Sequence, residues 1–120
     1  MLIAPPMYQN LTKTTTDVFF DELKADINLV QSKNYLTDDF YELTFNNRSY
    51  KIIKNSTQQM IKENGYPDNL TVETRVFKTV KFQHNGTFKT PGRIIFKEGN
   101  KKTYELIFPF GKGGFYIVSS

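Results

Sequence analysis

Between residues 16 and 31 the apolar side chains Phe19, Leu23, Ile27 and Val30 recur at spacings of four, four and three, which places them on one face of an α-helix. Phe20 widens the stripe. Thr15 or Thr16 can cap its start, and Asp17, Asp21 and Glu22 suit the positive end of the helix dipole. "YLTDDFYELTF" restarts the pattern and predicts a short second helix, with Thr37 as N-cap, Asp38 and Asp39 in the first turn, and Leu36 and Tyr41 at the two staple positions. A third helix is expected over residues 49–64, burying Ile53 and Met60 with Ile52 and Ile61 beside them. Gly65 and Pro67 would end it.

The period then switches to two. In "TVETRVFKTVKF" Val72, Thr74, Val76, Val80 and Phe82 share one face, while Glu73, Arg75, Thr79 and Lys81 share the other. His84-Asn85-Gly86 predicts a tight hairpin turn. The next strand sends Phe88, Ile94 and Phe96 inward, with Pro91-Gly92 marking a bulge or an edge. After the turn at "EGN", the run "KTYELIFPF" buries Tyr104, Leu106, Phe108 and Phe110, and "GGFYIVSS" closes the sheet with a short strand. Helices followed by a meander of strands predict an α+β fold: three N-terminal helices packed on one face of a curved four-stranded antiparallel sheet. Residues 1–15, with two prolines and "TKTTT", read as a flexible tail or linker, and residues 16–120 as a single domain.

Composition narrows the chemistry. A chain of 120 residues is enough for one core. With no Cys it offers no disulfide, thiolate site or cysteine nucleophile. No run reaches the roughly 18 apolar residues of a membrane span. "MLIAPPMYQN" lacks the basic start and apolar stretch of a signal peptide, so any anchor would lie upstream. Residues 1–45 hold three lysines against seven acids, whereas residues 73–112 hold nine basic groups against three acids. That split suits attraction between the two halves, or steering of a polyanion to the second.

"FPFGKGGFYI" has the look of a phosphate-binding loop. Such a loop must open onto a helix whose N-terminal amides bind the phosphate. Here the chain continues as the strand-like "FYIV", so a hairpin turn accounts for the glycines. The single His84 sits in a turn, and the acids cluster where capping and solvation account for them, so no catalytic, cofactor-binding or metal-ligating set stands out. Five Asn-X-Ser/Thr sequons, starting at Asn10, Asn47, Asn55, Asn69 and Asn85, read as incidental to a composition rich in Lys, Asn, Ile and Phe that resembles an AT-rich bacterial gene.

"FFDELK", "YLTDDFYEL", a third helix ending "NGYPDNL" and a closing "GGFYIVSS" together resemble the nuclear transport factor 2-like superfamily, the cystatin-like α+β cone. Many bacterial members carry Gly-Gly-Trp in the last hairpin; Gly113-Gly114-Phe115 holds that place here. The resemblance covers residues 17–120. It implies one of three things: a small-molecule isomerase or hydratase, a partner-binding domain, or the extracytoplasmic domain of a VirB-type scaffold of type IV secretion in Gram-positive conjugation. The last is the expectation adopted: a non-enzymatic assembly module of the cell envelope that self-associates or contacts other transfer-channel proteins. Without an upstream anchor it would be cytoplasmic.

Strand alternation supplies the candidate surface. It sets Phe77, Ile95, Ile107 and Pro109 among Arg75, Arg93 and Lys97, with Lys78 joining if the strand is irregular. An apolar group ringed by basic residues is a common form of interaction surface. Two alternatives stand beside it. An enzyme of the same fold would use a pocket lined by Tyr104 or Tyr116. A nucleic-acid-binding domain would use the basic strands with Phe77 and Phe115 as stacking platforms.

Overall fold

The computed structural model describes residues 14–73, 78–83, 87–89, 92–109 and 114–120. Over these the chain forms one helix, α1 (Thr15–Leu36), and eight strands: β1 (Tyr41–Phe45), β2 (Ser49–Lys54), β3 (Gln59–Gly65), β4 (Thr71–Glu73), β5 (Thr79–Lys81), β6 (Gly92–Glu98), β7 (Lys102–Phe108) and β8 (Tyr116–Ser119). The strands make two four-stranded sheets, ordered β3-β2-β1-β5 and β4-β6-β7-β8, antiparallel throughout. This replaces the expected three helices on one four-stranded sheet, and with it the cystatin-like α+β cone.

The first helix forms where its periodicity places it. Thr14 is the N-cap: its hydroxyl accepts from the Asp17 N–H at 3.0 Å, and Asp17 Oδ2 accepts from the Thr14 N–H at 3.3 Å. This reciprocal capping box satisfies two donors that a bare helix end leaves open. Phe19, Phe20, Leu23, Ile27 and Val30 are all buried.

The second and third helices do not form. Thr37, expected to start a helix, ends one: its backbone N–H and its hydroxyl both donate to the Lys33 carbonyl, at 3.0 and 2.7 Å. Leu36 is exposed while Tyr41 is buried, so no staple joins them. "YELTF" alternates buried and half-buried positions as a strand facing a core does. Residues 49–64 are a hairpin, β2 and β3, turning at the polar run Asn55-Ser56-Thr57-Gln58, where Gln58 takes a positive φ of 56°. Met60 and Ile61, expected in the core, are exposed. Aromatic and β-branched residues in "SYKII" favour the pleated form, and pairing with β1 on one side and β3 on the other supplies the hydrogen bonds a helix would have made internally.

The expected continuous strand over residues 71–82 is divided. β4 belongs to the second sheet and β5 to the first, so the chain changes sheet between them. Val72, Val80 and Phe82 still face inward, while Thr74 and Val76 lie outside the described residues. So do His84, Pro91, Phe110, most of the expected 1–15 tail and the "GKGG" glycines except Gly114. The flanks of that glycine loop, β7 and β8, pair antiparallel. The β6–β7 turn is as expected: Lys101 N–H donates to Glu98 C=O, and Gly99 has φ 55°.

One core joins α1 to the inner faces of both sheets. Phe96 of β6 lies edge-on to Phe19, Phe20, Phe45 and Tyr66, with ring centroids 5.4–6.1 Å apart. The Phe45–Phe96 contact bridges the sheets directly. A second aromatic row, Phe82–Phe88–Phe108–Phe115, runs from the first sheet to the second. Edge-to-face rings gain from their quadrupoles beyond the area they bury. No helix among the described residues is long and apolar enough to cross a membrane.

Candidate functional site: the outer face of the second sheet

Cross-strand register defines the face of the second sheet turned away from the core. One row runs Glu73, Ile95, Glu105, Val118 across β4, β6, β7 and β8. The rows beside it run Arg93, Ile107, Tyr116 and Thr71, Lys97, Thr103. Successive residues of a strand point to opposite faces, so the buried Ile94, Phe96 and Leu106 between these positions fix the face as external. Ile95 and Ile107 are half-buried, and Tyr116 and Val118 are 51% and 44% exposed. Four apolar side chains thus share this face, three of them on β7 and β8.

The charged groups on this face largely offset one another. Arg93 Nη1 stands 3.1 Å from Glu105 Oε1, a diagonal pair between β6 and β7. Lys97 is exposed between Thr71 and Thr103, and Glu73 lies on the β4 side. The surface is therefore apolar along the β8 side with a mixed-charge border, not a basic field.

Of the residues expected at a partner surface, Ile95, Ile107, Arg93 and Lys97 come together here. Pro109 is half-buried one residue past β7. Phe77 and Arg75 lie outside the described residues. Lys78 belongs beside the first sheet, where its carbonyl accepts from the Phe45 N–H at 2.7 Å. Tyr116 and Val118 were not among the expected residues, although the alternation of "FYIVSS" carries the signal: Phe115 and Ile117 pack against the core and the residues between them face out.

The two tyrosines of the enzyme alternative do not converge. Tyr104 pairs with Ser119 on the inner face, packs on Phe20 at 4.8 Å and donates to Glu98 Oε1 at 3.2 Å. Burial, then that bond, raises its pKa above the usual tyrosine value. Tyr116 faces the other way. Among the described residues no group of three His, Asp or Glu is placed to hold a metal ion. An open cleft of about 190 Å³ lies elsewhere, beside β1 and β5, lined by Phe40, Glu42, Asn55, Lys81 and Lys89 among others.

A buried polar cluster between α1 and the β2–β3 hairpin also went unseen in the sequence. Asp26, read there as a solvated helix acid, is 4% exposed. Its Oδ2 accepts from the Tyr50 hydroxyl and its Oδ1 from Lys62 Nζ at 2.9 Å, while Lys62 also reaches Glu22 at 2.8 Å. Every buried side-chain polar atom among the described residues has a partner. The cluster ties helix to sheet. No protein-family model, curated protein or solved structure matches the chain.

Proposed function

We propose that this protein is a non-catalytic binding module that engages a protein partner through the outer face of its second sheet. The observation that carries the reading is the joining of Ile95, Ile107, Tyr116 and Val118 on one external face, two of them about half exposed. Exposed apolar groups with a polar rim are how protein interfaces are built, with aromatic residues over-represented at their centres. The Arg93–Glu105 pair favours a protein over a nucleic acid, because a phosphate backbone is held by cations free of neighbouring carboxylates. The expectation of a conjugation scaffold drew on the helical cone. With two sheets in its place, the broader reading is the one proposed.

The test is selection of peptides from a random library on the folded protein, followed by amide chemical-shift mapping. Selected peptides should perturb residues 93–97, 105–107 and 116–118, and Ile95→Glu should weaken them at least about tenfold, the scale of an interface anchor. Failure to select any peptide, or perturbations centred on the Phe40–Asn55–Lys81 cleft, would overturn the reading.

A further inference from the structure

We propose that the occupant of the β8 side of this surface is a second copy of the chain, whose own β8 adds antiparallel to β8 and continues the second sheet across a two-fold axis. The inference rests on the reading of the outer face as a binding surface and names its partner. Among the described residues four strands stand at sheet edges: β3 and β5 in the first sheet, β4 and β8 in the second. Edges are ordinarily blunted by charge, brevity, a bulge or a covering segment. β3 carries Lys62 and Glu63, and its register with β2 shifts at Ile52/Ile53. β5 has three residues, and the Lys89 N–H donates to its Lys81 carbonyl. β4 has three residues and ends in Glu73. Among the described residues β8 carries no charge and no bulge, and no segment covers it. Residues 114–120, "GFYIVSS", contain no charged side chain and no proline, and the register with β7 is unbroken from Ile107↔Tyr116 to Tyr104↔Ser119.

The hydrogen-bond phase shows what this edge offers. Thr103 and Ser120 exchange both backbone bonds, at 3.1 and 2.9 Å. Antiparallel pairs alternate, so Val118 and Tyr116 also bond to β7, whereas the N–H and C=O of Ile117 and Ser119 point away from it. These outward groups call for an extended backbone. A symmetric register places Ile117 opposite Ile117 of the second copy, and Phe115 opposite Ser119. On the outer face Tyr116 then stands opposite Val118 twice, an aromatic–β-branched pairing that stabilises sheets. The same register extends the apolar patch from Ile107 and Tyr116 into its symmetry mate. It sets no like charges against each other, since β8 is uncharged, Arg93 is paired with Glu105, and the two-fold sends Lys101 and Lys102 of the two copies to opposite ends of the junction. An isologous contact of this kind closes on itself as a dimer.

Solution mass by light scattering over a concentration series, with amide exchange followed by NMR at both ends of the series, tests this. The mass should double, and the Ile117 and Ser119 amides should slow by roughly tenfold or more in the dimer. The Val118 and Ser120 amides, already bonded to β7, should change little. Val118→Lys should leave a folded monomer, with Tyr116→Lys as the second variant should the first not fold. Ile95→Glu, two strands in from the edge, should leave the dimer intact. A monomer at every concentration overturns the inference, as does a dimer whose Ile117 and Ser119 amides exchange as in the monomer, or one that Ile95→Glu dissolves. Slowing of those amides only when a selected peptide is added also overturns it, because the occupant is then a foreign strand. Loss of the dimer leaves the reading of the face as a peptide-binding surface standing, because peptide binding is measured separately.

Discussion

The phenol of Tyr50 donates a hydrogen bond of 2.5 Å to Asp26 Oδ2, joining β2 to the middle of α1. Lys62 from β3 holds the other carboxylate oxygen, and Asn64 Nδ2 donates to the Tyr50 oxygen at 3.1 Å. A carboxylate 4% exposed is tolerable in a core only when its oxygens are met in this way. Tyr50→Phe removes one donor without changing the ring. The loss should be about 1–3 kcal/mol, the range for stranding a buried acceptor. Urea unfolding would measure it, and an unchanged midpoint would show that water replaces the phenol.

The same cluster sets an alkaline limit on stability. Burial raises the Tyr50 and Tyr66 pKa values above the usual tyrosine value, and for Tyr50 the bond to Asp26 adds to this. Hydrogen bonds to Glu22 and then Asp26 raise Lys62. In each case the folded state holds its proton more tightly than the unfolded chain. The stabilisation is therefore complete below the unfolded values, about 10 for tyrosine and 10.4 for lysine, and falls as pH rises through the folded ones. Urea midpoints should be level from pH 8 to about 9.5 and drop beyond it, with Tyr50→Phe dropping less steeply than the native chain. Lys62 adds little, being over a third exposed. A midpoint that climbs above pH 10 would contradict the assignment.

Asn34, with no exposed surface, is the clip between α1 and β1. Its Nδ2 donates to the Val30 and Tyr41 carbonyls, both at 2.9 Å, and its Oδ1 accepts from the Tyr41 N–H at 3.1 Å. Asn34→Ala should cost about 2 kcal/mol or more by leaving the Tyr41 backbone groups without this partner. Asn34→Asp should be worse at pH 7, because a carboxylate oxygen would face two carbonyls, and should recover in part at pH 4 as the acid gains a proton. Thermal melts at the two pH values check the sign.

At Gly99 the φ of 55° is left-handed, and an added Cβ would meet nothing within 4 Å. Gly99→Ala should therefore cost about 1 kcal/mol through backbone strain alone, and Gly99→Asn clearly less. Equal losses for both, read from unfolding midpoints, would point to a contact rather than to φ.

Where apolar spacing admitted a single period, the structure was legible in advance. Phe19, Leu23, Ile27 and Val30 fit only a helix, while Ile94, Phe96, Leu106 and Phe108 stand in short runs on either side of the turn at Gly99, which marks them as strands. The outer positions Ile95 and Ile107 followed from the same alternation. Residues 49–64 were misread because Ile52-Ile53 and Met60-Ile61 are adjacent apolar pairs, which satisfy a period of 3.6 as readily as one of 2. Neighbouring strands decided between the two.

By itself, then, the sequence determined the helix, the meander of the last three strands and the facing of the β6 and β7 side chains, because these follow from local periodicity and turn chemistry. Tertiary structure alone decided that β4 and β5 belong to different sheets, that Asp26 is buried and bound by residues 24 and 36 positions away, and that Tyr116 and Val118 complete an apolar face at an unguarded edge. Each of those depends on which strands become neighbours, a pairing between distant segments that no local pattern specifies.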